Sequence, residues 1–227
     1  MKILTPQQKL ALATLAASSL KEKFYWTGGT LLAYHYLHHR QSEDLDFFSD
    51  TPFSFADIEP WVKTFQKRAG FAKVTTNKIF DRWELFFKDP GQLRIEFVYY
   101  NGEKKRLGKR KVLLGVTIDS LKDIAANKTF AYFDRNEPKD LFDLYFLIKK
   151  KEFTVNKLLS LCEQKFGVAF PEDLFWSEAF KTLPLLENLR PLLLTDSEMA
   201  RKKLLKEIES FFKKGARRFL ASRIKES

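Results

Sequence analysis

The apolar pattern of this chain changes period once, near residue 119, and that change restricts the fold more than any other feature. Before it, strand-like runs at 72–76, 83–88 and 93–100 stand between stretches of helical spacing. After it, every apolar pattern is helical, with predicted helices at 120–132, 138–150, 155–166, 171–181 and 197–215, punctuated by Gly167, Pro184 and Pro191. The expected fold class is α+β: a mixed-sheet core over residues 1–120, followed by an all-helical C-terminal lobe over 121–227. A chain of 227 residues with 23 Phe can bury a substantial core in such an arrangement.

Within the first half, Thr5, Pro6 and Gln8 form a helix start with a capping-box pairing, which predicts a helix at about 6–21. The apolar stretch inside it resembles a signal-peptide core. It is too short to span a bilayer and directly follows a cap, so an ordinary first helix is expected. A short strand, Phe24-Tyr25-Trp26, then enters the turn Gly28-Gly29-Thr30, and residues 31–38 read as a buried helix. A loop over 40–43 leads to a strand at 44–48, and a helix starting at Ser54 or Asp57 stops at Gly70. Asp89-Pro90-Gly91 makes a hairpin of the runs at 83–88 and 93–100. Residues 112–118 add a strand in which Gly115 could be a bulge.

Asp44 and Asp46 sit at i and i+2 of a strand, so their side chains share one face while Leu45 and Phe47 take the other. Two carboxylates that close repel unless a cation lies between them, and a hard divalent ion with oxygen ligands is the usual resolution. Glu96 shares a strand face with Arg94 and Val98. An antiparallel neighbour of the 44–48 strand would bring it beside the aspartates, giving three carboxylates able to hold two cations. The alternative for Glu96 is a solvent-facing residue paired with Arg94. A second group gathers Lys128, Arg135, Lys139, Asp140 and Asp143. Pro138 at a first helical position puts Asp140 in the first turn, where the helix dipole alone favours a carboxylate. Lys128 either snorkels to solvent or meets a nucleotide's phosphates, with Asp140 orienting it or acting as a base. His35 and His39 have i, i+4 spacing but lack further ligands, and a core or loop role is expected for them.

Forty Lys and Arg against 29 Asp and Glu give a net charge of +11, which draws polyanions. Residues 197–227 carry ten basic side chains against four acidic ones, and a second cluster runs Lys104, Lys105, Arg106, Lys109, Arg110, Lys111. Each cluster is either a solvated face or a surface for RNA or an acidic partner. The single cysteine, Cys162, excludes an internal disulfide and a cysteine-based zinc site and suits a reducing cytoplasm. No segment is a convincing membrane anchor.

Gly28-Gly29-Thr30, the run Arg40 to Phe48, and Lys139-Asp140-Leu141-Phe142-Asp143-Leu144-Tyr145 together resemble the AbiEii/AbiGii-type nucleotidyltransferase toxins of the polymerase-β-like superfamily. The resemblance implies a nucleotidyltransferase core over 1–120 and a Mg²⁺-dependent enzyme, with two ions possible. Such an enzyme moves a nucleoside monophosphate from an NTP onto an acceptor, the 3′ end of tRNA in some relatives. It also implies the toxin half of a toxin–antitoxin or abortive-infection pair, with a cognate antitoxin as partner. By motif match, Gly28, Gly29 and Thr30 take phosphate, Asp44 and Asp46 the metals, Lys128 and Lys139 the NTP, and Asp140 the fourth catalytic position. Arg40 and Ser42 brace the loop before the metal strand. A protein or small-molecule acceptor, and an inert core that only binds RNA or a partner, are the competing expectations.

Overall fold

The computed structural model describes residues 3–100, 105–195 and 197–226. The chain divides into two compact units, Met1–Ile124 and Ala125–Ser227.

The first unit opens with helix α1 (Pro6–Ala16), where Thr5 N–H donates to Gln8 Oε1 at 2.9 Å and Gln8 N–H donates to Thr5 Oγ1 at 3.1 Å. It ends five residues before the expected limit. Ser18 turns its hydroxyl back to the Leu15 carbonyl at 2.9 Å, and the chain re-forms as a 3₁₀ turn over Ser19–Glu22. Strand β1 (Tyr25–Thr27) runs into helix α2 (Gly28–Leu31), which widens into a π-helical stretch, Leu32–Leu37. The glycine turn is thus the first turn of the expected buried helix. Strand β2 (Leu45–Ser49) begins one residue later than predicted. Helix α3 (Phe55–Ala69) starts where Ser54 N–H meets Asp57 Oδ2 at 2.7 Å and stops at Gly70, whose φ of +72° is left-handed.

Strands β3 (Lys73–Ile79), β4 (Arg82–Lys88) and β5 (Gln92–Tyr99) form a meander. The stretch at 112–118 is two strands, β6 (Lys111–Leu113) and β7 (Val116–Ile118), and not one. Leu114 and Gly115 both have positive φ and close a two-residue hairpin, so the freedom of Gly115 serves a tight turn and no bulge. The seven strands make one mixed sheet in the order β3-β4-β5-β2-β1-β7-β6. On one face Leu45, Phe47, Leu85, Phe87, Ile95 and Phe97 are buried. Helix α3 lays Trp61 and Phe65 on them, with Trp61–Phe97 and Phe65–Phe87 ring centroids 5.2 and 4.9 Å apart.

Helix α4 (Leu121–Arg135) carries the chain into the second unit, which continues with α5 (Pro138–Lys151), α6 (Val155–Phe166) and α7 (Glu172–Thr182). A 3₁₀ stretch, Leu183–Leu192, fills what Pro184 and Pro191 had marked as breaks, and α8 (Glu198–Glu226) follows. Tyr132, Phe142, Phe175 and Phe212 are its largest buried side chains. Helix α8 runs eleven residues past the predicted end. Past Ala216 and the half-buried Phe219, residues 220–225 are exposed, so no buried stripe marks the last turns.

Candidate active site

On the sheet face opposite α3 the pairing registers place one polar residue from each of five strands in a row: Thr27, Asp46, Glu96, Glu84 and Asn77. Strand β5 is a parallel neighbour of β2, where an antiparallel one was expected. Helix α3, between β2 and the meander, supplies the crossover a parallel pair requires. Glu96 still lies directly across from Asp46. Glu84 escaped the sequence analysis, although the hairpin about Pro90 fixes its register with Glu96.

Carboxylates opposite one another destabilise a sheet unless cations intervene. Here two arginines intervene. Arg94 donates from Nη2 to Glu84 Oε1 at 2.7 Å and also to Glu96, and its Nη1 lies 3.8 Å from Asp44 Oδ2. Arg82 Nη1 lies 3.4 Å from Glu96 Oε2. Burial pushes the Glu96 carboxyl up, and Glu84 and Asp44 add to this against the pull of Arg94 and Arg82. The inner pair, Glu84 and Glu96, is buried and neutralised, whereas Asp44 and Asp46 are half-exposed. Arg94 and Arg82 thus offset the carboxylates of Glu84, Glu96 and Asp44 that they reach.

The glycine turn lies directly against the Asp46 side chain of β2. Gly28 has φ +77°, and a Cβ on it would overlap the Asp46 carboxylate, which therefore rests against a bare Cα. Gly28→Ala is expected to destabilise the protein by about 1–2 kcal/mol from the left-handed backbone alone. Displacement of Asp46 should also cost on the order of 10²-fold in transfer rate. A thermal melt beside a transfer assay reads both effects.

The loop before Asp44 is held by its carbonyls. Arg40 Nη1 donates to Gln41 O at 2.8 Å, Gln8 Nε2 to Ser42 O and Glu43 O at 3.0 and 2.9 Å, and Thr30 Oγ1 to Asp44 O. Four consecutive carbonyls thus have side-chain donors. Gln8 reads from sequence only as a capping residue, because nothing local signals its second use. The Thr30 hydroxyl is committed to Asp44, while the first-turn N–H groups of α2 have no acceptor within the helix.

As a cation site the outer pair fits Mg²⁺: two hard oxygen donors share an open face, and Asp46 is seated against Gly28. Glu96 offers its oxygens to Arg94 and Arg82 instead. Among the described residues no cluster of three or more His, Cys, Asp or Glu is placed to hold a metal ion. The fit is therefore that of two carboxylates, with water and phosphate completing the shell.

In the second unit, Lys128 Nζ lies 2.9 Å from Asp140 Oδ1 and 2.8 Å from Asp143 Oδ2. Arg135 grips Asp140 from its other side, Nε to Oδ2 at 2.7 Å and Nη2 to Oδ1 at 2.9 Å. Both aspartates are fully buried and Lys128 nearly so. Burial alone would raise the Asp140 carboxyl, but Lys128 and then Arg135 outweigh it and hold Asp140 below the usual carboxylate range. Lys128 does not snorkel. Asp143, three residues after Asp140 on the same helix face, closes the cluster. Lys139 is half-buried beside it.

Part of the second basic cluster is structural. Arg110 donates to Asp50 at 2.6 and 2.9 Å with its guanidinium 3.3 Å above the Tyr25 ring, and Arg106 reaches Asp50 at 3.1 Å. The Leu107 and Gly108 N–H groups both donate to Asp123 at 3.0 Å. Lys105, Lys109 and Lys111 are exposed, and Lys104 lies outside the described residues. His35 is exposed on the π-helical stretch and His39 is buried.

A glycine turn set against a strand with paired carboxylates, on a mixed sheet, is the layout of a nucleotidyltransferase, and this chain is one. A family model described as "Nucleotidyl transferase AbiEii toxin, Type IV TA system" matches residues 10–222, and the chain belongs to that family. An uncharacterized protein of Aquifex aeolicus (strain VF5) is 27% identical over 227 residues, covering 97% of this chain and 99% of that protein. Among solved structures, JHP933 from Helicobacter pylori superposes with a TM-score of 0.57 at 22% identity, covering 96% of this chain and 95% of that one. A presumed nucleotidyltransferase from H. pylori gives 0.58 at 20% identity, covering 94% of each chain. These two share the fold. Among the described residues no helix is long and apolar enough to cross a membrane.

Proposed function

We propose that this toxin moves a nucleoside monophosphate from an NTP onto an RNA acceptor, the 3′ end of tRNA, in a Mg²⁺-dependent reaction in the cytoplasm. The observation that carries this is the half-exposed Asp44–Asp46 pair at i and i+2, with Asp46 seated against Gly28. The net charge of +11, concentrated in the last thirty residues, supports a polyanionic acceptor. Residues 1–120 are the catalytic core in this account and 121–227 the helical lobe.

Asp44 and Asp46 hold the metal, which supplies, when bound, charge neutralisation of the triphosphate and a lower pKa for the attacking hydroxyl. The first-turn N–H groups at Gly29 and Thr30 face phosphate, and the Thr30 hydroxyl keeps Asp44 in place. Arg40, with Gln8, holds the loop through Ser42. Lys128 contributes its charge to the NTP, held for that task by Asp140 and Asp143, with Lys139 beside them. Glu96 serves through Arg94, whose charge tempers the field at Asp44, and comes to the metal only by leaving its arginines.

Incubation of the protein with Mg²⁺, each labelled NTP and total RNA is expected to label small RNA with at least one NTP, and chelation should abolish it. Label in a protein band would move the acceptor to protein. No transfer to any acceptor would leave a partner-binding module.

A further inference from the structure

We propose that a cleft between α5, α7 and α8, wholly within the second unit, holds a single-stranded segment of the RNA acceptor, with bases against its aromatic side chains and phosphates against its basic ones. The inference rests on the RNA-acceptor function proposed above. The cleft has a volume of about 910 Å³, within the range of sites that enclose a nucleotide-sized ligand. Its floor is Trp176, Phe211 and Phe219, and its rim is Lys214, Arg218 and Arg223.

These residues come together through one face of α8. Positions 211, 214, 215, 218, 219, 222 and 223 repeat at three- and four-residue steps, so rings and cations alternate along a single stripe. Gly215 lies in that stripe, and a Cβ there would meet the Trp176 indole at 2.5 Å from Cζ3. The missing side chain lets the outer edge of the buried indole close on the helix backbone. Trp176 Nε1 donates to Glu172 at 3.0 Å, which fixes the ring plane. The second acid of the cleft, Glu207, accepts from the Tyr145 hydroxyl at 2.9 Å. Lys149 sits 5.9 Å above the Phe211 ring at the opposite lip.

Half-buried rings at Phe211 and Phe219 beside exposed cations are what a single strand needs: stacking for about 1–3 kcal/mol per base and screening of each phosphate. The cleft's concavity separates it from a membrane-binding helix, whose apolar face must stand proud of its charges. Single strands are also the form in which RNA exposes base faces to aromatic side chains.

The test uses a short single-stranded oligoribonucleotide and the full chain. Arg218 and Arg223 are exposed, so R218E/R223E should fold as the parent does. RNA affinity is expected to fall at least about tenfold, and the slope of log K against log salt to shrink by about 1.4. In transfer assays the KM for RNA should rise while kcat at saturating RNA stays. RNA should also quench tryptophan fluorescence in the parent and in Phe219→Ala less so, but not in Trp176→Phe. Unchanged affinity and salt slope in R218E/R223E, or labelling of RNA at the parental KM, overturns the cleft while leaving transfer to RNA standing. Salt-steep RNA binding that the double substitution removes, with no RNA labelled by any NTP, keeps the cleft and refutes the acceptor. Binding of phosphatidylserine vesicles but no RNA overturns the cleft.

Discussion

Asp46→Ala is expected to lower nucleotidyl transfer by on the order of 10³-fold, about 4 kcal/mol of transition-state stabilisation, without loss of the fold. The two effects separate because of where the carboxylate stands. It is half-exposed on the face of β2 away from the buried Leu45 and Phe47, so its removal breaks no packing in the sheet's core. The backbone pairing to Thr27 and Glu96 is indifferent to the side chain. Thermal melting should therefore stay close to the parent while turnover collapses. Asp44→Ala should act in the same direction. Its backbone carbonyl still accepts from Thr30, so the loop keeps its anchor. The Gly28→Ala lesion should also lose its steric part when combined with Asp46→Ala, because the clash is with that carboxylate. Full transfer by Asp46→Ala would remove the strand pair from the reaction altogether.

What the sequence made legible follows from how local each signal is. The alternation of Leu45 and Phe47 against Asp44 and Asp46 is a property of five residues, and it holds with both apolar side chains fully buried. The Thr5–Gln8 cap and the Gly70 stop are equally local, and both appear as expected. Strand direction is not local. Whether β5 runs parallel or antiparallel to β2 depends on the path of forty-odd residues between them, and the spacing of Glu96 carries no trace of it. The β6–β7 hairpin was missed because a Leu at φ +53° occupies a turn position that composition assigns to Gly or Asn. At the candidate site, residue types that bear chemistry were visible, whereas their supports were not. Gln8 and Glu84 act through partners up to 35 residues away, and only the folded chain shows which carbonyl or guanidinium each one meets, as it alone shows Lys128 between Asp140 and the already visible Asp143.

Lys128→Met is expected to destabilise the protein by about 3–5 kcal/mol, the cost of removing one partner from a buried ionic cluster. Asp140 and Asp143 are fully buried, and Lys128 reaches both, whereas Arg135, which grips Asp140, is partly exposed. Asp140→Asn tests the same cluster from the acid side, and its signature is in the pH dependence. In the folded protein the Asp140 carboxyl titrates below its ordinary value of 3.8, so between the two values the unfolded chain binds the extra proton. Its contribution to stability is therefore complete above the unfolded pKa and lost as pH falls through the folded one. Urea melts from about pH 5 down to about pH 2 should show a steep acid limb in the parent and a flatter one in Asp140→Asn. Identical acid limbs would mean that the cluster is not set by this carboxylate. Lys128→Arg separates structure from chemistry: it keeps the charge between the two aspartates, so melting should change little. A guanidinium is broader and more rigidly directed than an ammonium, and once both aspartates orient it, its match to a triphosphate is altered. A raised KM for NTP at near-parental stability would assign Lys128 to the substrate, and parental kinetics would assign it to the fold alone.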